Sequence, residues 1–154
     1  MDQVIVRRAC LDDLDRLLEF EQAMIAAERP FDETIRKGSD VRYYDLRRLI
    51  SSPEAEVVVA ELNSELIATG YARLKIAEPY YEHDEYSYLG FMFVVPEHRG
   101  KGVNKMIIDA LESWSLSQGV SVIELEVFAE NSSAVKAYEK SGYQGLMLTM
   151  RKAL

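Results

Sequence analysis

The chain has 154 residues, a formal net charge of −8 and a hydrophobic fraction of 48%. This length suits a single domain over residues 1–154, with a core large enough to need no disulfide or metal. No apolar run approaches the ~20 residues that span a bilayer. The negative charge disfavours binding to nucleic acid or to anionic lipid, so we expect neither as a partner.

Cysteine and histidine are too scarce for the common metal centres. Cys10 is the only cysteine, and the two histidines, His83 and His98, form no H-x-x-x-H pattern. We therefore expect no metal site. The first residues lack the basic segment and apolar core of a secretion signal, so the expected location is cytoplasmic.

The N-terminal part of the chain predicts a strand and two helices. Alternation around Val4 and Val6 is typical of a strand. Apolar residues with helical spacing follow Asp12 and Asp13, which favour the start of a helix. A second helix is expected to end before Pro53, because the residue preceding a proline disfavours helical backbone.

A hairpin is predicted next. Segments 56–62 and 65–77 are rich in strand-forming residues, and Asn63 and Ser64 between them form a two-residue turn candidate. An acidic, tyrosine-rich segment at 78–85 then leads into the second half of the chain.

The second half alternates strands and helices. In chain order we expect a strand over 86–95, a helix from Val103 that Gly119 ends, a strand over 120–128, a helix over 132–141 and a last strand over 143–151. The whole order, β-α-α-β-β-β-α-β-α-β, predicts an α/β fold with antiparallel hairpins early and strand-helix-strand units late.

A glycine turn separates the strand over 86–95 from the following helix. Residues 94–103 read Val-Val-Pro-Glu-His-Arg-Gly-Lys-Gly-Val. A strand, such a turn and a helix start leave unpaired N–H groups at the positive end of the helix, where a diphosphate can bind. Gly100 and Gly102 let the backbone approach phosphate oxygens, while Arg99 and Lys101 add positive charge. This run predicts a site for a phosphate-bearing cofactor.

The turn resembles the cofactor-binding motif of the GCN5-related N-acetyltransferases (GNAT), a Gln/Arg-x-x-Gly-x-Gly/Ala turn that holds the pyrophosphate of acetyl-CoA. Glu97 stands where the family often has Gln or Arg, and Asn104 where a further Gly is frequent. A second family block is similar to residues 131–143, where an Asn precedes small residues, a Tyr and a Gly-aromatic pair. The two blocks occur in the family's order and separation, which makes the joint match specific.

The resemblance implies a single-domain α/β GNAT fold with a mixed, mostly antiparallel central sheet and flanking helices. In that fold the fourth and fifth strands splay apart, and the pantetheine arm of acetyl-CoA lies in the gap. The backbone of Phe93, Val94 and Val95 is implied to pair with pantetheine as a pseudo-strand. The other implied cofactor-binding residues are Arg99, Gly100, Lys101, Gly102, Val103, Asn104, Asn131 and Tyr138.

The implied activity is direct acetyl transfer from acetyl-CoA to a primary amine in a ternary complex. By the family pattern Tyr138 is the acid that protonates the departing CoA thiolate. Asn131, Ala134 and Tyr138 share one helical face, so the hydroxyl can point into the strand gap while Asn131 caps the helix or contacts the cofactor. Tyr138 as an ordinary core aromatic is the alternative.

The general base is left open by the sequence. Some family members place a Glu on the fourth strand, but even steps back from Val94 reach no carboxylate. Glu85 is the first candidate for the catalytic base, and His83, Glu124 and Glu126 are the others. Each would act directly or through a water molecule. A water chain without a dedicated base is a further alternative.

The acidic segment at 78–85 suggests the class of acceptor. In the family this loop borders the acceptor pocket, and an acidic aromatic rim suits a cationic amine such as a polyamine, an aminoglycoside-like compound, a lysine side chain or a peptide N terminus. A solvated acidic loop without a binding role is the alternative. Dimers are common among the proteins that the chain resembles, so a homodimer is expected by analogy.

Two other function classes are alternatives to an acetyltransferase. A noncatalytic acyl-CoA-binding or sensing module is favoured by the missing fourth-strand Glu and disfavoured by the presence of Tyr138. A nucleotide-binding ATPase or dehydrogenase is disfavoured, because residues 100–102 lack the Walker spacing and its Ser/Thr, and there is no third Gly at dinucleotide-fold spacing.

Overall fold

The computed structural model describes residues 3–154. The strands are β1 (Ile5–Arg8), β2 (Ala55–Leu62), β3 (Glu65–Ile76), β4 (Glu85–Val94) and β5 (Ile123–Leu125). The α-helices are α1 (Leu14–Glu28), α2 (Leu46–Ser51), α3 (Val103–Ser117) and α4 (Ser132–Lys140). Short 3-10 turns occupy Leu11–Asp13, Arg29–Phe31 and Pro96–His98.

The strands form one five-stranded sheet in the order β1-β2-β3-β4-β5. Neighbours from β1 to β4 are antiparallel, and β4 pairs with β5 in parallel. The predicted hairpin turn is confirmed: Asn63 and Ser64 have φ angles of 53° and 65°. Both residues are left-handed, as in the type I′ turn that matches the twist of a two-residue hairpin. The mixed, mostly antiparallel sheet with flanking helices is thus as predicted.

Helices cover both faces of the sheet. The side chains of neighbouring residues in a strand point to opposite faces of the sheet. Gly70 and Tyr71 of β3 show this. A Cβ at Gly70 would lie 2.7 Å from Ile107 of α3, whereas the ring of Tyr71 packs edge-on against Tyr44, with centroids 5.4 Å apart. The Tyr44 hydroxyl in turn donates to Met24 Sδ of α1. Thus α3 covers one face, and α1 with the loop that follows it covers the other.

A buried carboxylate attaches that loop to α1. Glu21 is fully buried, and its Oε2 accepts hydrogen bonds from the backbone N–H groups of Tyr43 and Tyr44, both at 2.9 Å. A buried carboxylate is stable only when hydrogen-bonded or paired. These two bonds therefore attach the backbone of the tyrosines to the middle of α1.

The fourth and fifth strands splay apart, as the resemblance implies. Only residues 87–89 of β4 pair with β5, and β4 then continues to Val94 without a partner on that side. Phe91 has a φ of 56°, and the β3–β4 register shifts there between Thr69 and Tyr71. Such a bulge bends the strand that carries the extra residue, so β4 diverges from β5 beyond Leu89.

Two strand predictions fail. The strand expected over 120–128 is reduced to β5, because only residues 123–125 pair with β4 before the strands part. The last strand expected over 143–151 is wrong: those residues adopt no strand. The physical reason is that a strand needs a neighbour, and within the described chain the backbone of residues 144–154 forms no backbone hydrogen bond.

Candidate functional site

The glycine turn lies at the open end of the β4–β5 gap. Gly100 and Gly102 have φ angles of 75° and 80°, which favour glycine because a Cβ is strained in this region. A Cβ built at either residue meets nothing within 4 Å. The glycines are therefore required by the backbone conformation, and the space in front of them is free of other protein atoms.

The N terminus of α3 faces this space without a cap. Gly102 is the N-cap residue and has no side chain to accept a hydrogen bond. Met106 donates its N–H to Gly102 O at 3.3 Å, so the N–H groups of Val103, Asn104 and Lys105 precede the first helical hydrogen bond. Together with the helix dipole, these groups form the kind of helix N terminus that favours anions.

Arg99 and Lys101 flank the turn, and both are exposed. Arg99 Nε donates to Val94 O at 3.0 Å, and its guanidinium lies 5.8 Å from the centroid of the Phe93 ring. Arg99 is therefore held against the end of β4. Glu97 is also exposed, so its charge is screened by solvent.

The three residues expected to meet pantetheine, at the end of β4 and just after it, differ in their backbone bonds. Val95 donates its N–H to Ile67 O of β3 at 2.9 Å, and its carbonyl accepts from the N–H of His98 at 3.0 Å. Because hydrogen-bonding groups alternate sides along a strand, those of Phe93 also face β3, and those of Val94 face the gap. The Val94 carbonyl already accepts a hydrogen bond from Arg99. The Val94 N–H is therefore the backbone group of this residue that is directed into the gap.

Asn131 is the N-cap residue of α4. Its Oδ1 accepts from the N–H of Ala134 and from the hydroxyl of Ser133, both at 3.3 Å. This is the capping arrangement, one of the two roles expected from the sequence. The contact fixes the start of the helix that carries Tyr138.

Tyr138 is half-buried and packs edge-on against Tyr143, with ring centroids 6.2 Å apart. The Tyr143 hydroxyl donates to Glu112 Oε2 of α3 at 2.8 Å. Burial raises the pKa of Tyr138 to about 12, and the charge of Glu28 adds to this. The hydroxyl is therefore protonated near neutral pH, the state that a general acid requires.

Glu28 is a residue of this site that the sequence analysis missed. It is the last residue of α1 and is half-buried. Burial raises the pKa of its carboxyl, and a hydrogen bond from Tyr43 partly offsets the increase. The charge of Glu28 raises the pKa of Tyr43, Tyr44 and Tyr138, so the carboxylate acts electrostatically on all three hydroxyls. In the sequence Glu28 resembles any acidic residue at a helix end, and no local signal marks it.

Glu85 lies at the opposite end of β4 from the turn. It is the first residue of that strand and is exposed, and a rise of ~3.3 Å per residue separates it from Val94 by roughly 30 Å. His83 stacks on Tyr81 in the same loop, with ring centroids 5.2 Å apart. The acidic segment at 78–85 thus lies at the closed end of the β4–β5 pair, where Glu124 joins several of its residues around a shallow pocket.

Glu126, by contrast, lies where the two strands separate. It is the first residue after β5, and its Oε1 accepts a hydrogen bond from the Tyr88 hydroxyl of β4 at 2.9 Å. Burial, and then this bond, raises the pKa of Tyr88. Of the four carboxylate and histidine candidates from the sequence, Glu126 is the one at the start of the gap.

The sequence profile described as the acetyltransferase (GNAT) family matches residues 20–143. The chain belongs to this family. The uncharacterized N-acetyltransferase YycN of Bacillus subtilis is 37% identical over 78 residues, which cover 51% of this chain and 49% of that protein. The matched regions span between 24% and 60% of the length of the first curated relatives.

Solved GNAT-like structures match almost the whole chain. A mutant of a Bacillus halodurans protein has a TM-score of 0.87 at 20% identity, over 97% of this chain and 99% of that chain. An aminoglycoside N-acetyltransferase in complex with CoA has a TM-score of 0.74 at 15% identity, over 100% of this chain and 96% of that chain. At these identities the likeness establishes the fold.

Two further observations concern metals and membranes. Among residues 3–154, no three His, Cys, Asp or Glu side chains are grouped so as to hold a metal ion. None of the helices in this range has the length and apolar character needed to cross a membrane.

Proposed function

We propose that the protein is an acetyl-CoA-dependent N-acetyltransferase that transfers an acetyl group directly to a primary amine in a ternary complex. The observation that carries the proposal is the uncapped N terminus of α3, behind two left-handed glycines, at the open end of the β4–β5 gap. Membership of the GNAT family supports the reaction type.

The residues present fit acetyl-CoA. The N–H groups of Val103, Asn104 and Lys105 bind the diphosphate, with Arg99 and Lys101 supplying positive charge. The Val94 N–H would donate a hydrogen bond to the pantetheine arm. When bound, acetyl-CoA would supply the activated acetyl group.

Tyr138 is the general acid in this proposal. Its pKa of about 12 means that the hydroxyl carries its proton at neutral pH and can donate it to a thiolate sulfur. The helix that carries it is held by the Asn131 cap at its start and by the Tyr143–Glu112 bond just beyond its end.

Glu28 replaces Glu85 as the proposed base. A base must lie near the acid and have a pKa close to the working pH. The charge of Glu28 raises the pKa of Tyr138, and burial raises the pKa of the Glu28 carboxyl, whereas Glu85 is at the far end of β4. Glu126 is the second candidate, although it is exposed and already accepts a hydrogen bond from Tyr88.

The proposed acceptor is a small cationic amine. Glu126 supplies negative charge where β4 and β5 separate, and Glu28 supplies a second carboxylate, whose charge acts on the Tyr138 hydroxyl. The structurally similar aminoglycoside N-acetyltransferase acts on small amines, which supports this class.

The test is CoA release from acetyl-CoA, followed with a thiol reagent, across polyamines, aminoglycosides, amino acids and short peptides. Calorimetric binding of acetyl-CoA accompanies it. Turnover with a cationic amine is the expected result. Tight binding without turnover on any amine would favour the sensing module, and absence of binding would reject the cofactor site.

A further inference from the structure

A row of aromatic rings runs from the loop between β3 and β4 onto β4, and the proposed acetyl transfer does not use it. The rings of Tyr80 and Tyr81 have centroids 4.8 Å apart. Tyr81 stacks on His83 at 5.2 Å, and His83 meets Tyr86 of β4 edge-on at 6.4 Å. Tyr80 is 78% exposed and Tyr81 is 41% exposed, so the row begins at the surface.

These four rings border the shallow pocket that Glu124 joins, which we call the tyrosine pocket. Ile76 at the end of β3, Glu78 of the loop and Glu124 of β5 complete its wall. The wall therefore combines three strands and the loop between two of them. Its volume is about 170 Å³, enough for an ammonium group with a short alkyl chain.

The lining of the tyrosine pocket favours an organic cation, because cations bind to aromatic faces. The protein makes one such contact nearby, where Lys75 Nζ lies 4.7 Å from the centroid of the Tyr88 ring. Burial, and then the charge of Glu124, raises the pKa of Tyr86, and the opposite effect of Arg73 is smaller. The carboxylate of Glu124 thus acts on this pocket. Since no three metal-binding side chains are grouped within residues 3–154, the lining does not suit a metal ion.

His83 has an unsatisfied nitrogen atom at this pocket. Its Nε2 is buried and has no hydrogen-bond partner within the described part of the chain, whereas buried polar atoms are normally paired. A neutral imidazole that carries its proton on Nδ1 leaves Nε2 as an acceptor. An ammonium N–H is the donor that this acceptor lacks. The pocket therefore suits a protonated amine better than a quaternary ammonium ion, which has no N–H.

His83 also lines a second pocket, of about 380 Å³, which we call the helix-end pocket. Asp84, Glu85 and residues 119–122 form the rest of its wall. Gly119 follows the C-terminal end of α3, and the negative end of a helix dipole favours a cation. Because the two pockets meet at His83, a linear chain with an ammonium group at each end can occupy both.

The two pockets are separate from the proposed cofactor site. The glycine turn precedes the N-terminal end of α3, and the helix-end pocket adjoins its C-terminal end. At a rise of 1.5 Å per residue, the 15 residues of α3 place these ends about 22 Å apart. The sequence predicts that the segment at 78–85 borders the acceptor pocket, but the structure places it at the closed end of the β4–β5 pair. The segment is thus available for a ligand of its own.

We infer that the two pockets around His83 form an accessory binding site for a linear diamine, distinct from the acceptor of acetyl transfer. One ammonium group lies against the tyrosine rings, between His83 Nε2 and Glu124. The other lies at the end of α3, beside Asp84 and Glu85. This inference depends on no step of the acetyl transfer.

Calorimetric titration without acetyl-CoA measures the binding, with putrescine, butylamine and tetramethylammonium as probes. We expect putrescine to bind at least about tenfold more tightly than butylamine, because its two ammonium groups engage both pockets. Tetramethylammonium should bind no better than butylamine. Hydrogen exchange with putrescine bound should protect amides in residues 78–84. Absence of putrescine binding, or protection confined to the gap where β4 and β5 separate, would overturn the inference.

Two matched pairs of variants test the contacts. Tyr81→Ala removes a ring from the exposed loop, and Tyr81→Phe keeps it. Glu124→Gln and Glu65→Gln each remove one negative charge, but Glu65 is the first residue of β3 and lies at the opposite end of that strand from Ile76.

We expect Tyr81→Ala and Glu124→Gln to weaken putrescine binding at least about tenfold. Tyr81→Phe and Glu65→Gln should leave the affinity within about twofold of wild type, because the first retains the aromatic face and the second changes only a distant charge. Equal affinities within either pair would reject the site. The hydrogen exchange of the wild type decides the question if a variant does not fold.

Discussion

The Tyr143 hydroxyl donates a hydrogen bond to Glu112 Oε2 at 2.8 Å and so joins the end of α4 to α3. Tyr143 belongs to the second sequence block, and α3 begins at the glycine turn of the first. Because Tyr138 packs against the Tyr143 ring, this bond also helps to position the proposed acid. The second block recognised in the sequence is therefore attached to the helix that begins at the first block.

Replacing Tyr143 by Phe should remove this bond and keep the ring. A hydrogen bond to a charged group contributes about 1.5–3 kcal/mol, so we expect a loss of unfolding free energy in that range. Denaturant unfolding measures it, and Glu112→Gln should cost less because it keeps an acceptor. Unchanged stability of Tyr143→Phe would mean that the bond does not persist in solution.

Gly102→Glu should weaken acetyl-CoA binding. The substitution puts negative charge beside the diphosphate, and we expect a loss of affinity of at least about tenfold, or ~1.4 kcal/mol. Calorimetry on the folded variant is the measurement.

Gly119→Glu is the matched control, because Gly119 has a φ of 81° against 80° for Gly102 and is equally open. Both variants share the same backbone strain, but Gly119 follows the C-terminal end of α3. Equal affinity of the two variants for acetyl-CoA would remove the turn from the cofactor site.

Glu28→Gln should lower kcat by about 10²–10⁴-fold if Glu28 is the base. In the wild type, kcat should rise with pH as the carboxyl loses its proton, at a pH above the ordinary Glu range because burial raises the pKa of Glu28. The variant should lose this rise. Glu126→Gln is the comparison variant. If it lowers kcat more than Glu28→Gln does, and if kcat of Glu28→Gln still rises with pH, Glu126 would be the base instead.

The thermal stability of Glu28→Gln tests the same pKa shift and needs no measurement of activity. Folding raises the pKa of Glu28, so its favourable contribution is complete below the unfolded pKa and is lost as the pH rises through the folded pKa. Compared with wild type, Glu28→Gln should therefore gain in Tm near neutral pH and gain less near about pH 4. A gain that does not depend on pH would contradict the raised pKa.

Local features of the fold were predictable from the sequence. The Asn63-Ser64 turn follows from turn chemistry, and the left-handed glycines at 100 and 102 from the conformational freedom of that residue. The splay of β4 and β5 came with the family resemblance. Each of these depends on residues that are close together in the chain.

Features that depend on distant contacts were not predictable. Glu28 gains its raised pKa from burial in the folded chain, and its charge acts on Tyr138, which lies far along the chain. The left-handed bulge at Phe91 interrupts the alternation of β4, so counting in even steps back from Val94 does not follow one face. The strand expected over 143–151 has strand composition but no partner within its own chain.

The most direct test of the account is acetylation of an amine by wild-type protein and by Tyr138→Phe, with the acetylated product detected by mass spectrometry. The wild type should form product from acetyl-CoA and a cationic amine. The variant should turn over about 10²–10⁴-fold more slowly while its affinity for acetyl-CoA stays within a few-fold. Equal turnover by the two proteins would remove Tyr138 from the mechanism, and no product from any amine with the wild type would contradict the proposed activity.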